Sequence, residues 1–381
     1  MQRRDFLATA GLGAAGLVLA GRGIISADDA KDAPIRWGLV GIGNRCTQHI
    51  RVLNALAGSR IVALCDINKS HLQNGAGLCR EKPAGTYEGY REMLKRDDLD
   101  AVLVATPNDL HREMVVAALQ SGRHVLTEKP MGITVEECNE MIDTAAKAGR
   151  TLQVGLELRY SPFYQKVHSL LQEEKILGAV KFVWFNEFRG DWAKQSKDPA
   201  EDARINWRYS QKRSGGTLLE KSCHYFDLFN WLIGSKAQRV CGMGGINFYK
   251  NGRETLDHAV VAIEYEGDAK ATHGLSMYSP KQEGFTFIGE KGLMDLDIPA
   301  GEIRVRLEGR APQTFRADAK RQDAGGHSGT VEMHEDFQAC LRAGKKPLCD
   351  AAVGKESIRV GLAGELAVRE KRWVEMKEIP A

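Results

Sequence analysis

Short apolar runs alternate with stretches of helical periodicity over residues 34–155. The runs are bounded by polar or glycine-containing turns, and they lie at residues 35–40, 60–65, 101–105, 124–127 and 151–155. Between them, apolar positions recur with the period of a helix, for example over residues 110–120 and 135–148. Strands that alternate with helices predict a parallel sheet with helices on both faces.

The pattern changes after residue 155. Strand-like alternation lies at residues 180–188, 238–242, 259–265, 269–277 and 285–289. Glycine turns separate several of these runs, which favours an antiparallel sheet with one face open to solvent or to a partner. Helical patterns follow at residues 330–341 and 352–370. We therefore predict the α/β class, with a parallel-sheet domain over residues 34–155 and an α+β domain over residues 156–381.

The composition is that of a globular protein and narrows the classes of function. The chain has 381 residues, a formal charge of +3, 43% apolar residues and 27% charged residues. Such a chain can bury sizeable cores, and its length favours two domains. The near-neutral charge offers no basic face for nucleic acid. No apolar stretch is long enough to span a membrane in the mature protein.

Residues 1–27 have the three parts of a secretory signal, namely a basic start, a short apolar run and a small-residue exit. The adjacent Arg3 and Arg4, followed by Phe6 and Leu7, resemble a bacterial twin-arginine signal. An ordinary signal with a chance arginine pair is the alternative. We expect a periplasmic or otherwise exported protein, and because twin-arginine export carries folded proteins, the cofactor would be acquired before export.

The eight cysteines form no C-x-x-C pair, which argues against a zinc ribbon or a thioredoxin motif. Cys46 and Cys65 fall at a predicted helix start and in a predicted strand, which indicates small buried side chains. We predict no disulfide with these spacings. No cluster of residues has metal-ligand spacing, so we also predict no metal site.

A glycine turn follows the first predicted strand and leads into the first predicted helix. It reads Gly41-Ile42-Gly43-Asn44-Arg45. Glycine lets the chain turn tightly and approach a pyrophosphate, and the helix start adds a partial positive charge. Asp66 follows the second strand, where an acid can accept hydrogen bonds from ribose hydroxyls. We predict a Rossmann-type dinucleotide-binding domain; a glycine turn in another α/β protein is the alternative.

The predicted cofactor is NAD. The carboxylate of Asp66 would repel a phosphate on the ribose, which disfavours NADP. Arg45 and Lys69 leave NADP open, because either cation could face such a phosphate.

Further candidate cofactor residues follow the later strands. Thr106, Asn108 and His111 come after the third strand of the set, and Glu128 and Lys129 come after the fourth. Ligands of parallel sheets bind at the carboxyl ends of the strands, so these residues are expected to gather beside the glycine turn. For His111, an ordinary position at a helix start is the alternative.

With these motifs, the chain resembles the glucose–fructose oxidoreductase and inositol dehydrogenase family, called Gfo/Idh/MocA. The resemblance covers nearly everything from residue 34 onward. The matching stretches are Val40-Gly41-Ile42-Gly43, Ala105-Thr106-Pro107-Asn108 with His111, Gly122-Arg123-His124-Val125, Glu128-Lys129-Pro130, residues 215–224 with Asp227, and the region of Pro347 and residues 363–369. The resemblance implies a nicotinamide dinucleotide domain followed by a domain with a large, mostly antiparallel sheet. Most members oxidise or reduce a hydroxyl of a sugar, a cyclitol or a sugar derivative.

The resemblance places Lys129 and His224 at the reacting carbon and aligns Glu220 with a usual Asp. Alcohol oxidation needs a proton acceptor and a group that stabilises charge on oxygen. We assign His224 as the base and Lys129 as the donor to the reacting oxygen, with an exchange of these two roles left open. Glu220 and His224 are four residues apart, which predicts one helix face and a Glu220 that orients His224 or binds a neighbouring hydroxyl. A packed core histidine and a surface ion pair of Glu220 are the alternatives.

Six further residues are candidates for substrate binding, namely Arg159, Tyr160, Trp192, Trp207, Arg208 and Asp227. Aromatic faces suit the apolar side of a sugar ring, and arginine donates bidentate hydrogen bonds. The resemblance implies that the region of Trp207 and Arg208 lies near nicotinamide and substrate. Ordinary packing of the tryptophans, and a cap or salt bridge for Asp227, are the alternatives.

The sequence therefore predicts an exported NAD(P)-dependent oxidoreductase that acts on a hydroxyl or keto group of a sugar, glycoside or cyclitol. The family commonly forms dimers or tetramers, so we expect a homo-oligomer through the second sheet. Two other classes stay open. One is a glycoside hydrolase or lyase with transient NAD-dependent oxidation, although relatives of that kind depart from the Glu128-Lys129-Pro130 signature that this chain keeps. The other is a noncatalytic nucleotide-binding protein.

Overall fold

The computed structural model describes residues 33–192, 204–317 and 328–381. The signal predicted over residues 1–27 lies outside the described residues. Residues 34–381 form one compact unit that contains two sheets. Within the described ranges, no helix is both long enough and apolar enough to cross a bilayer.

The first sheet has six parallel strands in the order β3-β2-β1-β4-β5-β6. Its strands are β1 Ile35–Val40, β2 Ser59–Cys65, β3 Gly85–Tyr87, β4 Ala101–Val104, β5 His124–Glu128 and β6 Leu152–Gly155. Its helices are α1 Asn44–Ala55, α2 Lys69–Leu78, α3 Tyr90–Leu94, α4 His111–Gln120 and α5 Val135–Ala148. The strand order reverses between β1 and β4, which is where open parallel sheets bind ligands. The predicted parallel sheet is confirmed, although the sequence prediction did not include α2, β3 and α3.

Helix α5 shows how local sequence sets an element boundary. The hydroxyl of Thr134 accepts a hydrogen bond from the Glu137 amide at 3.2 Å. Gly149 ends the helix in the left-handed conformation, with φ of 61°. Acidic residues lie in the first turn and Lys147 lies in the last, which complements the helix dipole. The predicted boundaries of α5 are therefore confirmed.

The second sheet has nine strands in the order β14-β13-β12-β11-β7-β10-β9-β8-β15. They are β7 Val180–Phe188, β8 Ala237–Gly245, β9 His258–Tyr265, β10 Lys270–Ser276, β11 Gln282–Gly289, β12 Gly292–Asp297, β13 Glu302–Leu307, β14 Gln313–Arg316 and β15 Val374–Glu375. Neighbouring strands are antiparallel except β7 and β10, which pair in parallel. The mostly antiparallel sheet is confirmed, and strands β12 to β15 were missed.

Helices of the second half cover one face of this sheet, although the helix Thr330–Ala343 packs in the core of the first sheet through Met333 and Phe337. They are α6 Pro162–His168, extended by a π turn over Ser169–Glu173, then α7 Gln211–Ser214, α8 Thr217–Glu220, α9 Cys223–Ile233, α10 Thr330–Ala343 and α11 Ala351–Glu370. Phe185 of β7 and Phe285 of β11 are buried and stack at 4.1 Å between ring centroids, and Phe229 of α9 packs on both. The opposite face of the sheet carries exposed apolar residues, including Trp184 and Val260.

Helix α11 belongs to the cores of both sheets. Its Ile358 packs in the core of the first sheet, whereas Val360 and Ala363 pack in the core of the second. Gly354 allows close approach to β6, because a Cβ there would lie 2.6 Å from Cγ2 of Val154. The helix thereby fixes the carboxyl ends of the parallel strands against the second half of the chain.

Candidate active site

The glycine turn between β1 and α1 is shaped by Gly41. Its φ of +84° is in the left-handed region that favours glycine. A Cβ at Gly41 would lie 2.7 Å from the Ala105 carbonyl oxygen and 2.8 Å from Cγ2 of Thr106. A Cβ at Gly43, the N-cap of α1, would meet nothing within 4 Å, and the exposed Asn44 follows. This open space at a helix start fits a pyrophosphate.

Asp66 links the glycine turn to the end of β2. One carboxylate oxygen accepts a hydrogen bond from the Ile42 amide at 2.6 Å, and the other accepts one from the Asn68 amide at 2.7 Å. Asp66 therefore lies beside the turn, as a ribose-binding acid requires. The two cations that left NADP open have other partners, since Arg45 bonds Glu128 at 2.7 Å and Lys69 pairs with Glu88 at 3.2 Å.

Two of the residues predicted after β4, Asn108 and His111, connect the loops at the carboxyl ends of the parallel strands. The amide of Asn108 donates to the Ser214 carbonyl oxygen at 2.8 Å, which joins the first sheet to the turn at Gly215. The imidazole of His111 spans two loops, with Nδ1 2.8 Å from the Pro130 carbonyl oxygen and Nε2 2.9 Å from that of Thr106. Burial lowers the pKa of His111, and the neutral ring can donate to only one of these two carbonyl oxygens.

Glu128 is the acceptor of a buried polar network. Its Oε1 lies 2.7 Å from Nε of Arg45 and 2.8 Å from Nε2 of His49, and Nδ1 of His49 lies 2.8 Å from Nε2 of His334. Burial alone would raise the pKa of Glu128, but Arg45 and His49 hold it well below its usual value. Burial lowers the pKa of both histidines. A neutral His49 must then donate from Nε2 to the carboxylate and accept at Nδ1 from His334, which fixes both tautomers.

Lys129 and Glu220 form a mostly buried ion pair where β5 meets α8. The ammonium donates to the Glu220 carbonyl oxygen at 2.8 Å and lies 3.9 Å from Oε1 of its carboxylate. Oε1 also accepts from Nε of Arg208 at 2.8 Å. Burial alone would lower the pKa of Lys129 and raise that of Glu220. The pairing reverses both shifts, raising the pKa of Lys129 and lowering that of Glu220 to about 2, so both side chains are charged.

His224 lies in the first turn of α9 and faces Glu157 rather than Glu220. Its Nε2 is 3.7 Å from Oε2 of Glu157, which follows β6. Burial lowers the pKa of His224 to about 4 against the opposing effect of Glu157, and the Lys129 charge lowers it further. His224 is therefore neutral near pH 7, and it is close enough to Lys129 for the ammonium to disfavour protonation of the ring.

The prediction of one helix face for Glu220 and His224 is wrong. Glu220 ends α8, and α9 begins at Cys223. Ser222 lies in the break, where its hydroxyl is 2.7 Å from Nε2 of the buried His273 on β10. This tertiary contact holds a turn at a position where helical spacing alone predicts continuity.

Arg208 lies between two of the predicted substrate-binding aromatic residues. Its guanidinium carbon is 4.2 Å from the ring centroid of Trp207 and 5.5 Å from that of Trp192. Arg208 also bonds Glu220. Trp192, Arg208 and Trp207 therefore form an aromatic wall next to the ion pair of Lys129 and Glu220.

The other predicted substrate-binding residues have partners deeper in the protein. Arg159 and Asp227 form a buried ion pair with N–O distances of 2.7 Å, one helical turn beyond His224. The guanidinium of Arg159 also lies over the ring of Trp231 at 5.3 Å. The hydroxyl of Tyr160 donates to Asp336 at 2.9 Å. These three side chains therefore bond to protein partners below the site. For Asp227, the structure shows the salt bridge that was stated as the alternative.

Three residues of the network were not identified from the sequence. Glu157 follows β6, so the rule that placed Lys129 at a strand end also applies to it. His49 and His334 lie inside α1 and α10, and nothing in their local sequence distinguishes them from packed core histidines.

Among the described residues, no group of three or more His, Cys, Asp or Glu side chains is arranged to hold a metal ion. All eight cysteines are free thiols, and Cys46 and Cys65 are buried as predicted.

A parallel sheet whose glycine turn, strand-end acid and open helix start face one edge defines the class of dinucleotide-binding proteins. Residues 35–156 match the oxidoreductase family with an NAD-binding Rossmann fold, and residues 164–295 match the Gfo/Idh/MocA C-terminal domain. Together these matches span about two thirds of the chain. The protein therefore belongs to the Gfo/Idh/MocA family, and residues 35–156 are its NAD-binding Rossmann domain.

Known proteins show the same relationship over parts of the chain. The chain is 34% identical to the putative oxidoreductase YteT of Bacillus subtilis over 179 residues, which are 45% of this chain and 40% of that protein. It is 32% identical to a glycosyl hydrolase family 109 protein of Shewanella baltica over 184 residues, 42% of this chain and 40% of that protein. Both alignments thus cover less than half of either protein.

A solved structure matches over nearly its whole length. The aldose-aldose oxidoreductase from Caulobacter crescentus, complexed with glycerol, has a TM-score of 0.76 and 23% identity. The match covers 90% of this chain and 99% of that one. At this identity the comparison shows a shared fold.

Proposed function

We propose that the protein is an NAD-dependent oxidoreductase that acts on a hydroxyl or keto group of a sugar, glycoside or cyclitol. The observation that carries the proposal is a buried site at the end of β5, where the charged Lys129 contacts Glu220 and its ammonium acts on the neutral, buried His224. The family membership and the aromatic wall of Trp192, Arg208 and Trp207 support a carbohydrate substrate.

The charge states of the two side chains favour one assignment of roles. An ammonium has no lone pair, so Lys129 can donate to the reacting oxygen and stabilise negative charge on it, but it cannot take a proton. Neutral His224 has a lone pair and can take the hydroxyl proton. Arg208 and Lys129 together neutralise Glu220, which leaves its second oxygen to accept a hydrogen bond from a neighbouring hydroxyl. NAD, when bound, supplies the hydride acceptor.

The likeness to a family 109 glycosyl hydrolase supports a second candidate, cleavage of a glycoside through transient oxidation. Such a reaction would leave no reduced cofactor at the end. Net accumulation of reduced cofactor therefore separates the two candidates.

The test is a panel of aldoses, glycosides and cyclitols incubated with the purified protein and NAD, with NADP in parallel. We expect absorbance of reduced nicotinamide to rise with at least one compound, and to rise faster with NAD because of Asp66. Release of free sugar from a glycoside without net reduction would favour the hydrolytic candidate. Neither signal with any compound would contradict both.

We also propose that a second copy of this chain covers the open face of the nine-stranded sheet. This face exposes Met243, Trp184, Val260 and Ile288, with 74%, 57%, 50% and 43% of each residue accessible. These residues lie on four strands, and Val260 is directly opposite Met243 in the register of β8 and β9. A broad, mildly apolar face made of regular strands suits a self-complementary interface.

Replacing Val260 by Glu should convert the assembly into monomers without unfolding it, because a charge inside the interface cannot be buried unpaired. Light scattering measures the change, and circular dichroism checks the fold. The matched control is Leu348→Glu, which alters an apolar residue with 39% accessibility outside the sheet. A wild-type protein that is monomeric at micromolar concentration would contradict the proposal.

A further inference from the structure

The two nitrogens of the His224 ring have different surroundings. Nε2 lies 3.7 Å from a carboxylate oxygen of Glu157, and Glu157 is 5% exposed. Nδ1 is buried and has no hydrogen-bond partner among the described residues. A neutral imidazole carries its single proton on one nitrogen, and a nearby carboxylate stabilises that proton on the nitrogen that faces it.

We propose that Glu157 is a positioning residue that holds the His224 proton on Nε2, so that the lone pair on Nδ1 takes the proton of the substrate hydroxyl. The assignment of the proton transfer rests on the proposed function, whereas the position of the proton on the ring does not. In the step, the O–H bond of the substrate breaks and its proton goes to Nδ1. The electron pair of the O–H bond forms the C=O bond, and the imidazolium that forms pairs with Glu157. NAD, when bound, would accept the hydride that leaves the adjacent carbon with the electron pair of the C–H bond.

Glu220 does not fill this position, although it is closer to His224 in sequence. Its carboxylate accepts from Arg208 at 2.8 Å and lies 3.9 Å from the Lys129 ammonium. These two cations hold Glu220 on the side of α8, and the turn at Ser222 separates α8 from α9. Glu157 is therefore the carboxylate that faces the base.

The position of Glu157 is set by the buried network. The guanidinium of Arg45 lies 3.6 Å from the Glu157 oxygen that faces His224, and Nε of the same guanidinium bonds Glu128. Glu128 is fixed in turn by His49. Arg45 thus lies between two carboxylates, and rotation of Glu157 away from His224 would separate it from this guanidinium.

Charges on several elements act on His224. Glu157 after β6 and Glu128 at the end of β5 stabilise its protonated form, whereas Lys129 after β5 and Lys221 before α9 disfavour it. Asp227, one turn further along α9, is already paired with Arg159. Removing the Glu157 charge leaves both lysines and only the more remote carboxylate, so the imidazolium loses its main support.

The first test compares Glu157→Gln with Glu157→Asp in the cofactor-loaded protein. Oxidation requires neutral His224, so the rate falls as pH decreases through the pKa of the base. Loss of the carboxylate lowers that pKa, and Glu157→Gln should move the acid limb of kcat/KM to lower pH by about one unit or more. The plateau kcat should fall by about tenfold to a hundredfold, a part of what a general base contributes, with KM little changed. Glu157→Asp keeps the charge and should keep the acid limb near its wild-type pH.

Equal losses of kcat in the two variants, with neither acid limb displaced, would show a merely structural role and overturn the proposal. Thermal unfolding of both variants separates this outcome from a failure to fold.

The second test reads the tautomer directly and needs no turnover. Nitrogen-15 labelling of histidine distinguishes protonated from unprotonated ring nitrogens, and a His224→Gln spectrum identifies the His224 signals. We expect a protonated Nε2 and an unprotonated Nδ1 in the wild-type protein, and a loss of this preference in Glu157→Gln. A protonated Nδ1 in the wild-type protein would refute the assignment. If the tautomer is as expected but no sugar is oxidised, the proposed function fails while the positioning by Glu157 stands.

Discussion

Replacing Lys129 by Met is expected to lower kcat/KM for the oxidised sugar by about 10²–10³-fold, the usual cost of removing one donor to a developing oxyanion. Methionine keeps much of the length of the lysine side chain and its apolar contacts but donates no hydrogen bond. Glu220 keeps its 2.8 Å bond from Arg208, so the change does not leave its carboxylate without a cation. The measurement is steady-state reduction of NAD, with dinucleotide binding measured separately by fluorescence.

The matched control is Lys355→Met on α11, which removes a lysine whose ammonium donates to Asn139 of α5 at 3.1 Å. This variant should keep the wild-type rate. A Lys129→Met protein that binds NAD and retains more than about a tenth of the wild-type kcat/KM would contradict the role of Lys129 as donor to the reacting oxygen.

A substitution at Gly43 should mainly weaken NAD binding, whereas one at Gly41 should mainly destabilise the fold. Gly43→Val places its side chain in open space at the start of α1, with backbone angles open to every residue. Because valine is a poorer N-cap than glycine, the free energy of unfolding should fall by up to about 1 kcal/mol. NAD affinity should fall by at least about tenfold, or about 1.4 kcal/mol, because the side chain fills the space of the pyrophosphate.

Gly41→Ala, in contrast, should destabilise the fold by about 1–3 kcal/mol before any cofactor is added. Its Cβ would lie 2.7 Å from the Ala105 carbonyl oxygen, on a backbone with φ of +84°. Chemical denaturation without NAD, followed by titration with NAD, measures the two quantities. Unchanged NAD affinity in Gly43→Val would mean that the dinucleotide does not lie against this helix start.

The sequence predicts the parallel sheet and the residues at its edge well, because their signals are local. Gly41 needs no partner to identify its turn, and Thr134 with Gly149 sets the length of α5. Strand β7 was also predicted with its observed ends, since buried Val183 and Phe185 alternate with more exposed neighbours.

The parts that the sequence does not predict depend on contacts between distant residues. The break between α8 and α9 comes from Ser222 and His273, which are 51 positions apart. The pairing of Glu157 with His224 depends on the meeting of β6 and α9. Strand β13 is different, because Ile303 and Val305 alternate with Arg304 and Arg306 and the pattern was available. Its charged positions and its place near the sheet edge make that signal weaker than in β7.

Helix α11 also limits how this architecture can be rearranged. A gene fragment that stops at residue 155 would encode every strand of the first sheet but would lack Ile358 and the residue pair Met333 and Phe337, which complete its core. Residues 34–155 are therefore not expected to fold without the later helices that complete their core. Any recombination that exchanges the substrate-facing half must import a terminal helix that still fits against Val154, so the two halves are expected to be inherited together.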